Sequence, residues 1–228
     1  MRRRGFLLAL TTCGWGIRTS QAASDSLDCV AAVSRRRDEA QLLNRSLSSV
    51  LAGGLSVWDD RRGGWASPPA GHVAFWGRVV LLHLWADYCK PCREEFPHLR
   101  DLKREFVRHY KGRVQLVLIS ETASFEEMQR FLKQNRSRMP DGPLYLDDAG
   151  ALAQALRAGL PSGSLPLPVT LLCDERLIVR QVFLGALSGR HDELHDAIER
   201  LVNSLSAATP QAGGTLGTKN SEPLVGSQ

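Results

Sequence analysis

The amino-acid sequence predicts an α/β fold in which a central mixed β-sheet is flanked by helices. Two apolar runs of strand length, residues 79–85 and 114–120, are each followed by residues with helical spacing. Continuous apolar runs of this length are typical of strands that are buried on both faces. Two further strand-like segments, residues 169–173 and 178–184, flank a polar turn. Alternating strands and helices, followed by an antiparallel hairpin, therefore predict a mixed sheet with helices on both sides.

The first two helices are predicted from the spacing of their apolar residues. One covers residues 91–110, and its apolar face consists of Phe96, Leu99, Leu102 and Phe106. Pro97 lacks a backbone N–H, and we expect it to kink this helix. The other begins at Ser124, where Glu127 completes a capping box. Its apolar stripe consists of Phe125, Met128, Phe131 and Leu132.

Two more helices complete the predicted pattern. A short extended piece, residues 144–146, precedes a helix that Asp147 or Asp148 is expected to cap and that ends near Gly159. The last helix is predicted to start at Ser188. Its apolar face consists of Leu194, Ile198, Leu201 and Leu205.

The segment before the first buried strand is predicted to be an N-terminal extension that is partly helical. Residues 23–54 are polar and helix-prone, but their apolar residues are spaced too loosely for a clear amphipathic face. The charge cluster over residues 34–39 is interpreted as a solvated face. Residues 55–58 suit a short strand, and residues 59–71, rich in Gly, Pro and Arg, suit a loop.

The N-terminus has the features of a cleavable export signal. Residues 2–4 are arginines, residues 5–17 form a mostly apolar uncharged run, and small residues favour cleavage after Ala22. The run is shorter than the about 20 residues of a transmembrane helix. Residues 3–7 also resemble a twin-arginine signal, although an arginine stands where Ser or Thr is usual. A lipid attachment at Cys13 and an uncleaved short anchor are the alternatives.

The predicted domain organisation follows from these segments. The chain divides into a signal peptide over residues 1–22, the extension over 23–54, a folded domain over 55–206 and a tail over 207–228. The tail contains mainly Gly, Thr, Ser and Pro with few large apolar residues. Such a composition predicts disorder.

The net charge of +5 does not indicate a nucleic-acid-binding protein. Four of the 29 basic residues lie in the first 22 residues, which contain no acidic residue. The remaining 25 basic residues face 24 acidic ones, a net charge of +1. Without a separate basic stripe for phosphates, nucleic acid is not a predicted partner.

The stretch WADYCKPC, residues 85–92, places two cysteines two residues apart at the end of a buried strand. A thiol at the start of the following helix faces unpaired backbone N–H groups and the positive end of the helix dipole, which together lower the pKa of Cys89. Lys90 adds a positive charge, and Pro91 suits the first helical turn. Cys92 lies one turn on, close enough to form a disulfide with Cys89. The pair is therefore predicted to be redox-active.

A zinc site is the alternative interpretation of this pair. It requires a second pair of Cys or His ligands with tight spacing, and Cys29 and Cys173 each stand alone in the sequence. No metal and no other cofactor is therefore predicted. Cys173 is expected to be an inert buried thiol in a strand. Three states remain open for Cys29: a free thiol, a bond to another chain, or a bridge to Cys173.

The segment from Gly77 to Leu99 resembles the active-site block of thioredoxin-like proteins. It is most similar to the exported TlpA/ResA branch, in which a Cys-Arg-Glu-Glu-x-Pro run is usual. The resemblance covers roughly residues 55–205. It implies a thioredoxin fold and a thiol–disulfide oxidoreductase in the cell envelope, often serving cytochrome c maturation or the reduction of other exported thiols.

The same resemblance implies a cis-proline loop that faces the disulfide. By its distance from the apolar run of residues 171–174, Pro168 matches the family's proline, and Pro166 is the alternative. A cis bond beside the cysteine pair would place the backbone of Leu167 where a substrate chain can pair with it as a β-strand. An ordinary proline-containing loop is the simpler interpretation.

The sequence departs from thioredoxins proper at His83. Two residues before the tryptophan, those proteins have a buried acid that is thought to move the proton of the second cysteine. A buried imidazole could accept the proton of Cys92, because its unperturbed pKa is near 6.5. The alternative role for His83 is that of a hydrogen-bonded core residue.

Side chains around the cysteine pair are predicted to bind substrate or to face solvent, and not to take part in the thiol chemistry. Trp85 and Tyr88 are expected at the rim of the disulfide as substrate-binding residues, although packing alone would also explain Trp85. Glu94 and Glu95 are expected to face solvent in the first helical turns, where negative charge is favourable.

The resemblance implies that the protein reduces disulfides of exported proteins, such as apocytochrome c, through a mixed disulfide. A dithiol oxidase that installs disulfides and a non-enzymatic binding module are the alternatives. A peroxidase is not favoured, because Ala86 stands where the peroxiredoxin pattern has threonine. The implied partners are protein disulfides and a membrane-bound thiol donor in the periplasm, with at most peripheral membrane contact.

Overall fold

The computed structural model describes residues 21–59, 61–67, 77–121, 124–147 and 149–208. The predicted signal peptide and tail lie outside these ranges, except that residues 21–22 and 207–208 belong to the first and last helices. The helices are α1 (Gln21–Leu42), α2 (Ser48–Gly53), α3 (Lys90–Tyr110), α4 (Phe125–Asn135), α5 (Ala151–Arg157) and α6 (His191–Ala208), with a short 3-10 helix at Arg136–Arg138. The strands are β1 (Leu55–Asp59), β2 (Gly64–Ala66), β3 (Val79–Trp85), β4 (Val114–Ser120), β5 (Leu144–Asp147), β6 (Val169–Cys173) and β7 (Val179–Leu184).

The strands form one mixed sheet in the order β2-β1-β5-β4-β3-β6-β7. The pairs β3–β4 and β4–β5 are parallel, and β3–β6 and β6–β7 are antiparallel. The predicted fold class is confirmed. The prediction of a loop over residues 59–71 was wrong at β2, which pairs with β1, and the rings of Trp58 and Trp65 meet edge-on at 5.2 Å. Three residues among glycines and arginines are too few to show a strand pattern.

The central strand β3 is buried on both faces, as its apolar run predicted. Val79, Leu81 and Trp85 face one hydrophobic cluster together with residues of α3, α4 and α6. Val80, Leu82 and Leu84 face the other cluster, with residues of α5 and of the segment that follows α1. Helices therefore cover both faces of the sheet, and the cysteine pair follows the end of the buried strand β3.

Side-chain acceptors lie at the starts of three of the helices. Ser124 Oγ accepts a hydrogen bond from Glu127 N at 3.3 Å. The N-cap of α5 is Gly150, and the Asp147 carboxylate, three residues earlier, accepts hydrogen bonds from Leu152 N and Ala153 N at 3.1 and 2.8 Å. Cys89 caps α3, as described below. These contacts agree with the preference of helix starts for side-chain acceptors.

The last helix starts later than the sequence predicted. α6 begins at His191 and not at Ser188, because Gly189 has a positive φ of 76° and interrupts the helical backbone. Arg190 N donates to Leu187 O at 2.8 Å and closes this turn.

The charge cluster over residues 34–39 is not a fully solvated face, so that interpretation was wrong. Asp38 and Glu39 are buried. Glu39 Oε1 accepts hydrogen bonds from Leu184 N at 2.9 Å and from Arg190 Nη1 at 2.6 Å. α1 thus attaches to the outer edge of β7, an attachment between residues far apart in sequence that no local pattern shows.

The residues that follow α1 continue this attachment. Asn44 N donates to Val179 O at 2.8 Å, and Val179 N donates to Arg45 O at 2.9 Å. The residues buried from this segment are Leu42, Leu47 and Leu51. The described part of the extension therefore packs on the sheet, while the domain boundary at residue 55 stays a prediction. No helix in the described ranges is both long and apolar enough to cross a membrane.

Candidate redox site

The cysteine pair lies where β3 ends and α3 begins. Cys89 is the N-cap of α3, and its Sγ accepts a hydrogen bond from Cys92 N at 3.3 Å. The two cysteines form a disulfide, with 5.3 Å between their Cα atoms. Cys89 keeps 7% of its surface exposed and Cys92 keeps 0%. Cys89 is therefore the more exposed residue of the pair.

The start of α3 stabilises negative charge on Cys89. The Cys92 N–H points at its sulfur, and Pro91 occupies the first turn, where a missing N–H costs no helical hydrogen bond. Lys90 contributes less than the sequence suggested, because its Nζ lies 3.8 Å from Oε1 of Glu94 and both side chains are exposed. The backbone N–H and the helix dipole are thus the principal thiolate-stabilising features.

A cis peptide bond joins Leu167 to Pro168, at the predicted position. Pro168 immediately precedes β6, and Val169, the first residue of β6, pairs with Leu84 near the end of β3. The proline loop and the cysteine pair are therefore at the same end of the sheet. Pro168 is buried and Leu167 is partly buried. Their predicted roles, in catalysis and in substrate binding, stay predictions.

His83 is a fully buried core residue. Its Nδ1 lies 3.0 Å from Oγ1 of Thr170, its cross-strand neighbour, and its Nε2 has no hydrogen-bond partner in the described residues. Burial lowers the pKa of His83 from 6.5 to about 3. A neutral imidazole with so low a pKa is a poor proton acceptor at neutral pH. The contact with Thr170 favours the core-residue interpretation that the sequence left open.

Glu95 is the side chain that sequence reasoning missed. It was expected to face solvent, but only 6% of its surface is exposed. Its Oε1 accepts a hydrogen bond from Leu187 N, and its Oε2 is buried without a partner in the described residues. Burial raises the pKa of Glu95 to about 7, although the backbone N–H groups of Leu187 and Ser188 oppose this shift. Glu94, its neighbour, is exposed as predicted.

Glu95 lies three residues after Cys92, on the same face of α3. That face is the one that packs on the sheet, since Cys92, Phe96 and Leu99 all belong to the same core cluster. Residues three apart on a helix are neighbours. A carboxyl group with a pKa near neutrality thus stands beside the inner cysteine. The only sequence signal for it was the apolar spacing around position 95, which places that position next to the buried stripe.

The two aromatic residues expected at the rim differ in position. Trp85 is fully buried, and its ring lies 5.2 Å from the rings of both Phe96 and Phe131. The prediction that Trp85 binds substrate was therefore wrong, because its side chain has no exposed surface. Tyr88 is 71% exposed, directly before Cys89. Its predicted role in substrate binding stays a prediction.

Comparisons with known proteins agree with this geometry. The sequence model of the AhpC/TSA family matches residues 73–182. Thioredoxin-like protein YneN of Bacillus subtilis is 24% identical over 117 residues, which cover 51% of this chain and 62% of YneN. Thiol-disulfide oxidoreductase ResA of Geobacillus kaustophilus is 24% identical over 119 residues, which cover 52% and 62%. Over residues 73–182 the chain is therefore similar to the AhpC/TSA family, and it is similar to thioredoxin-like proteins over about half of its length.

The matched part of this chain spans less than two thirds of the length of either relative. Solved structures with similarity include a putative thiol:disulfide interchange protein DsbE from Chlorobium tepidum, with 22% identity and a TM-score of 0.46 over 57% of this chain and 83% of that one. A putative thioredoxin from Neisseria meningitidis has 17% identity and a TM-score of 0.48 over 68% and 92%. The family match contains both redox cysteines, His83, Glu95 and Pro168.

Proposed function

We propose that this protein is an exported thiol–disulfide oxidoreductase that reduces disulfides of other exported proteins. The observation that carries the proposal is the position of Cys89, which caps α3, accepts a hydrogen bond from Cys92 N and is the more exposed residue of the pair. The name of the relative ResA, a thiol-disulfide oxidoreductase, supports the same class of activity. Apocytochrome c is a candidate substrate through the resemblance alone.

The reaction begins with the reduced pair. The thiolate of Cys89 attacks one sulfur of a substrate disulfide, forming a mixed disulfide and releasing the other substrate sulfur as a thiolate. Cys92 then loses its proton and attacks Cys89 Sγ. This step forms the Cys89–Cys92 disulfide and releases the second substrate thiolate, so that two electrons pass from the protein to the substrate.

Glu95 is the group that we assign to the proton of Cys92. A carboxyl group with a pKa of about 7 is partly ionised at neutral pH, and its unpartnered Oε2 is free to take a proton. His83 is not assigned this task, because its pKa is about 3 and Thr170 engages its Nδ1.

The cellular setting follows from the N-terminus and from the direction of electron flow. The features of residues 1–22 support export to the periplasm by a cleavable signal, and the general and the twin-arginine routes are the two candidates. A reductant in an oxidising compartment has to be reduced again after each turnover. We therefore propose a membrane-bound thiol protein as the electron donor, with any membrane contact of this chain being peripheral.

The reduction potential of the Cys89–Cys92 pair is the decisive measurement for the direction of the reaction. The full chain is equilibrated with defined thiol/disulfide buffers, and the oxidised fraction is read from alkylated peptides. A potential near or below about −250 mV, towards that of thioredoxin, supports a reductant. A potential near about −120 mV marks a strong oxidant and replaces the reductase by the dithiol oxidase.

A trapping experiment tests the roles of the two sulfurs. Cys92→Ser retains the attacking sulfur but cannot resolve the mixed disulfide, so it is expected to accumulate a covalent complex with a disulfide substrate. Cys89→Ser is expected to form none, because Cys92 is fully buried. Complexes of equal yield from both variants would contradict the assignment of Cys89 as the nucleophile.

A further inference from the structure

A cavity of about 380 Å³ lies between the start of α3 and the end of α4. It is lined by Lys90, Arg93, Glu94, Gln134, Asn135 and Arg138. We refer to this cavity and these six residues as the basic groove. Four of the six side chains carry a charge and the other two carry a hydrogen-bonding amide, so none is apolar. Such a lining suits a charged ligand and not an apolar one.

The basic groove begins at the redox pair. Lys90 directly follows Cys89 in the chain, and Arg93 N donates a hydrogen bond to Cys89 O at 3.3 Å. The opposite wall is formed by the end of α4 and by Arg138 of the 3-10 helix. A polypeptide whose disulfide reaches the Cys89 sulfur would therefore place the residues beside its cysteine near this groove.

The basic groove has an excess of positive charge. Its three cations face one carboxylate, that of Glu94, which lies 3.8 Å from Lys90 Nζ. The guanidinium groups of Arg93 and Arg138 have no hydrogen-bond or ion-pair partner within the described residues. Two arginines are thus available to an incoming anion, and guanidinium groups match the planar geometry of a carboxylate.

More cations stand behind the groove, where α3 meets the 3-10 helix. Arg100 Nη1 donates to Ser137 O at 3.0 Å, and Arg136 Nη2 donates to Gly142 O at 3.2 Å. Lys103 Nζ donates to Asp141 O. These three acceptors are carbonyl oxygens, and the carboxylate of Asp141 also acts on Lys103. The three cations of the groove itself, Lys90, Arg93 and Arg138, therefore carry the argument for a positive potential there.

We propose that the basic groove binds acidic residues next to the disulfide of a substrate polypeptide, so that the protein prefers exported substrates whose cysteine is flanked by Asp or Glu. This preference rests on the proposed thiol–disulfide exchange at Cys89. Arg93 and Arg138 supply the contacts, and Lys90 adds attraction over a longer range. Because the groove is open to solvent, the contribution is modest and is weakened by salt.

Peptide kinetics test the proposal. Three synthetic peptides share one intramolecular disulfide and differ only in the flanking residues, which are Asp, Gln or Lys. At low ionic strength, the reduced full chain is expected to reduce the Asp peptide about tenfold faster than the Gln peptide, and the Lys peptide more slowly still. At high ionic strength the three rates are expected to converge. Equal rates for all three peptides at low ionic strength would overturn the proposal.

Variants locate the effect in the groove. The double variant Arg93→Gln/Arg138→Gln is expected to bring the ratio of the Asp rate to the Gln rate close to one. Arg108→Gln on α3 and Arg130→Gln on α4 are matched controls, since both arginines are exposed and lie outside the groove. They are expected to keep the wild-type ratio. A ratio that survives in the double variant, or that falls equally in the controls, would overturn the proposal.

A binding measurement separates this proposal from the proposed function. An Asp peptide with both cysteines replaced by serine cannot be reduced, yet it is expected to bind the full chain and to lose affinity in the Arg93/Arg138 double variant. If no peptide is reduced but this binding persists, the proposed exchange reaction is contradicted, and the proposal that the groove binds acidic residues is supported. If no such binding is detected, the proposal that the groove binds acidic residues is overturned, whatever the reduction rates are. Glutathione disulfide competing as effectively as the Asp peptide would overturn the assignment to a polypeptide.

Discussion

Glu95 lies three residues after Cys92 on the buried face of α3, and its Oε2 has no hydrogen-bond partner in the described residues. Its Oε1 is held by Leu187 N, in the loop before α6. The carboxyl group is therefore fixed in place at one oxygen and open at the other. With a pKa of about 7, it can exist in both protonation states at neutral pH, which a proton acceptor for Cys92 requires.

We expect Glu95→Gln to slow the resolution of the mixed disulfide by about 100-fold at neutral pH, because the amide cannot accept a proton. In the wild type, the rate of this step should rise with pH around an apparent pKa near 7. In the variant, this rise should move to higher pH, towards the titration of the thiol itself. Rapid-mixing single-turnover kinetics across pH measure both effects.

The matched control for this kinetic experiment is Asp101→Asn. Asp101 is an exposed carboxylate on the same helix, and its partner is Arg104 at 3.1 Å. It should behave as the wild type at every pH. A pH profile in Glu95→Gln that coincides with the wild type would show that another group accepts the proton.

Glu95 and His83 are expected to give folding stability opposite dependences on pH. Between pH 4.5 and 7, the folded chain holds a proton at Glu95 that the unfolded chain releases, so stability falls as pH rises. Between pH 3 and 6.5, the unfolded chain binds a proton at His83 that the folded chain rejects, so stability rises with pH. The two slopes cancel where these windows overlap, from pH 4.5 to 6.5.

Single variants should reveal each slope. In Glu95→Gln, His83 is the one of these two groups that still titrates. The free energy of unfolding of this variant should fall by about 2 kcal/mol when the pH is lowered from 6.5 to 4.5. His83→Gln leaves only Glu95 and should gain stability over the same acidification. Urea unfolding of the full chain at the two pH values measures this, and the double variant, with neither group, is the control. Parallel profiles for the two single variants would contradict the assigned pKa directions.

The parts of the site that the sequence predicted are those specified by neighbouring residues. The cysteine pair, its helix and the strand before it lie within one continuous segment, so residue spacing alone indicates a thiol at a helix start. The cis bond at Pro168 was predicted by resemblance and by its distance from the next apolar run. The five strands and four helices from β3 to α6, apart from the start of α6, were predicted for the same local reasons.

The parts that the sequence did not predict depend on contacts between distant residues. Glu95 is buried because the loop at Leu187, 92 residues later, covers it and satisfies one oxygen. Glu39 is buried because Leu184 N, 145 residues later, donates to it. In both cases the sequence alone predicts that a charged residue in a helical segment is exposed to solvent, because the distant residue that binds it is not known. The burial of Trp85 likewise depends on Phe131 of α4.

Glu39→Ala should destabilise the protein by about 3 kcal/mol, because it leaves Leu184 N without an acceptor and removes one of the two carboxylates around Arg190. Glu39→Gln keeps an acceptor for Leu184 N and should cost less. Arg37→Ala, an exposed position on α1, is the control. Urea unfolding gives the energies, and faster hydrogen exchange at the Leu184 amide would locate the loss. Equal stability of Glu39→Ala and Arg37→Ala would show that this attachment of α1 contributes nothing.

Cys173 should be unreactive in the folded protein. It lies in β6 with no exposed surface, and burial, with the nearby charge of Asp174, raises the pKa of its thiol far above the usual range. A thiol that stays protonated and inaccessible is a poor nucleophile. After reduction of the full chain, a thiol-alkylating reagent should label Cys89 rapidly and Cys173 only on unfolding, as measured by mass spectrometry of proteolytic peptides, which separates Cys173 from Cys29. Cys173→Ala should retain the disulfide-reduction rate, and labelling of Cys173 in the folded chain as fast as that of Cys89 would contradict its burial.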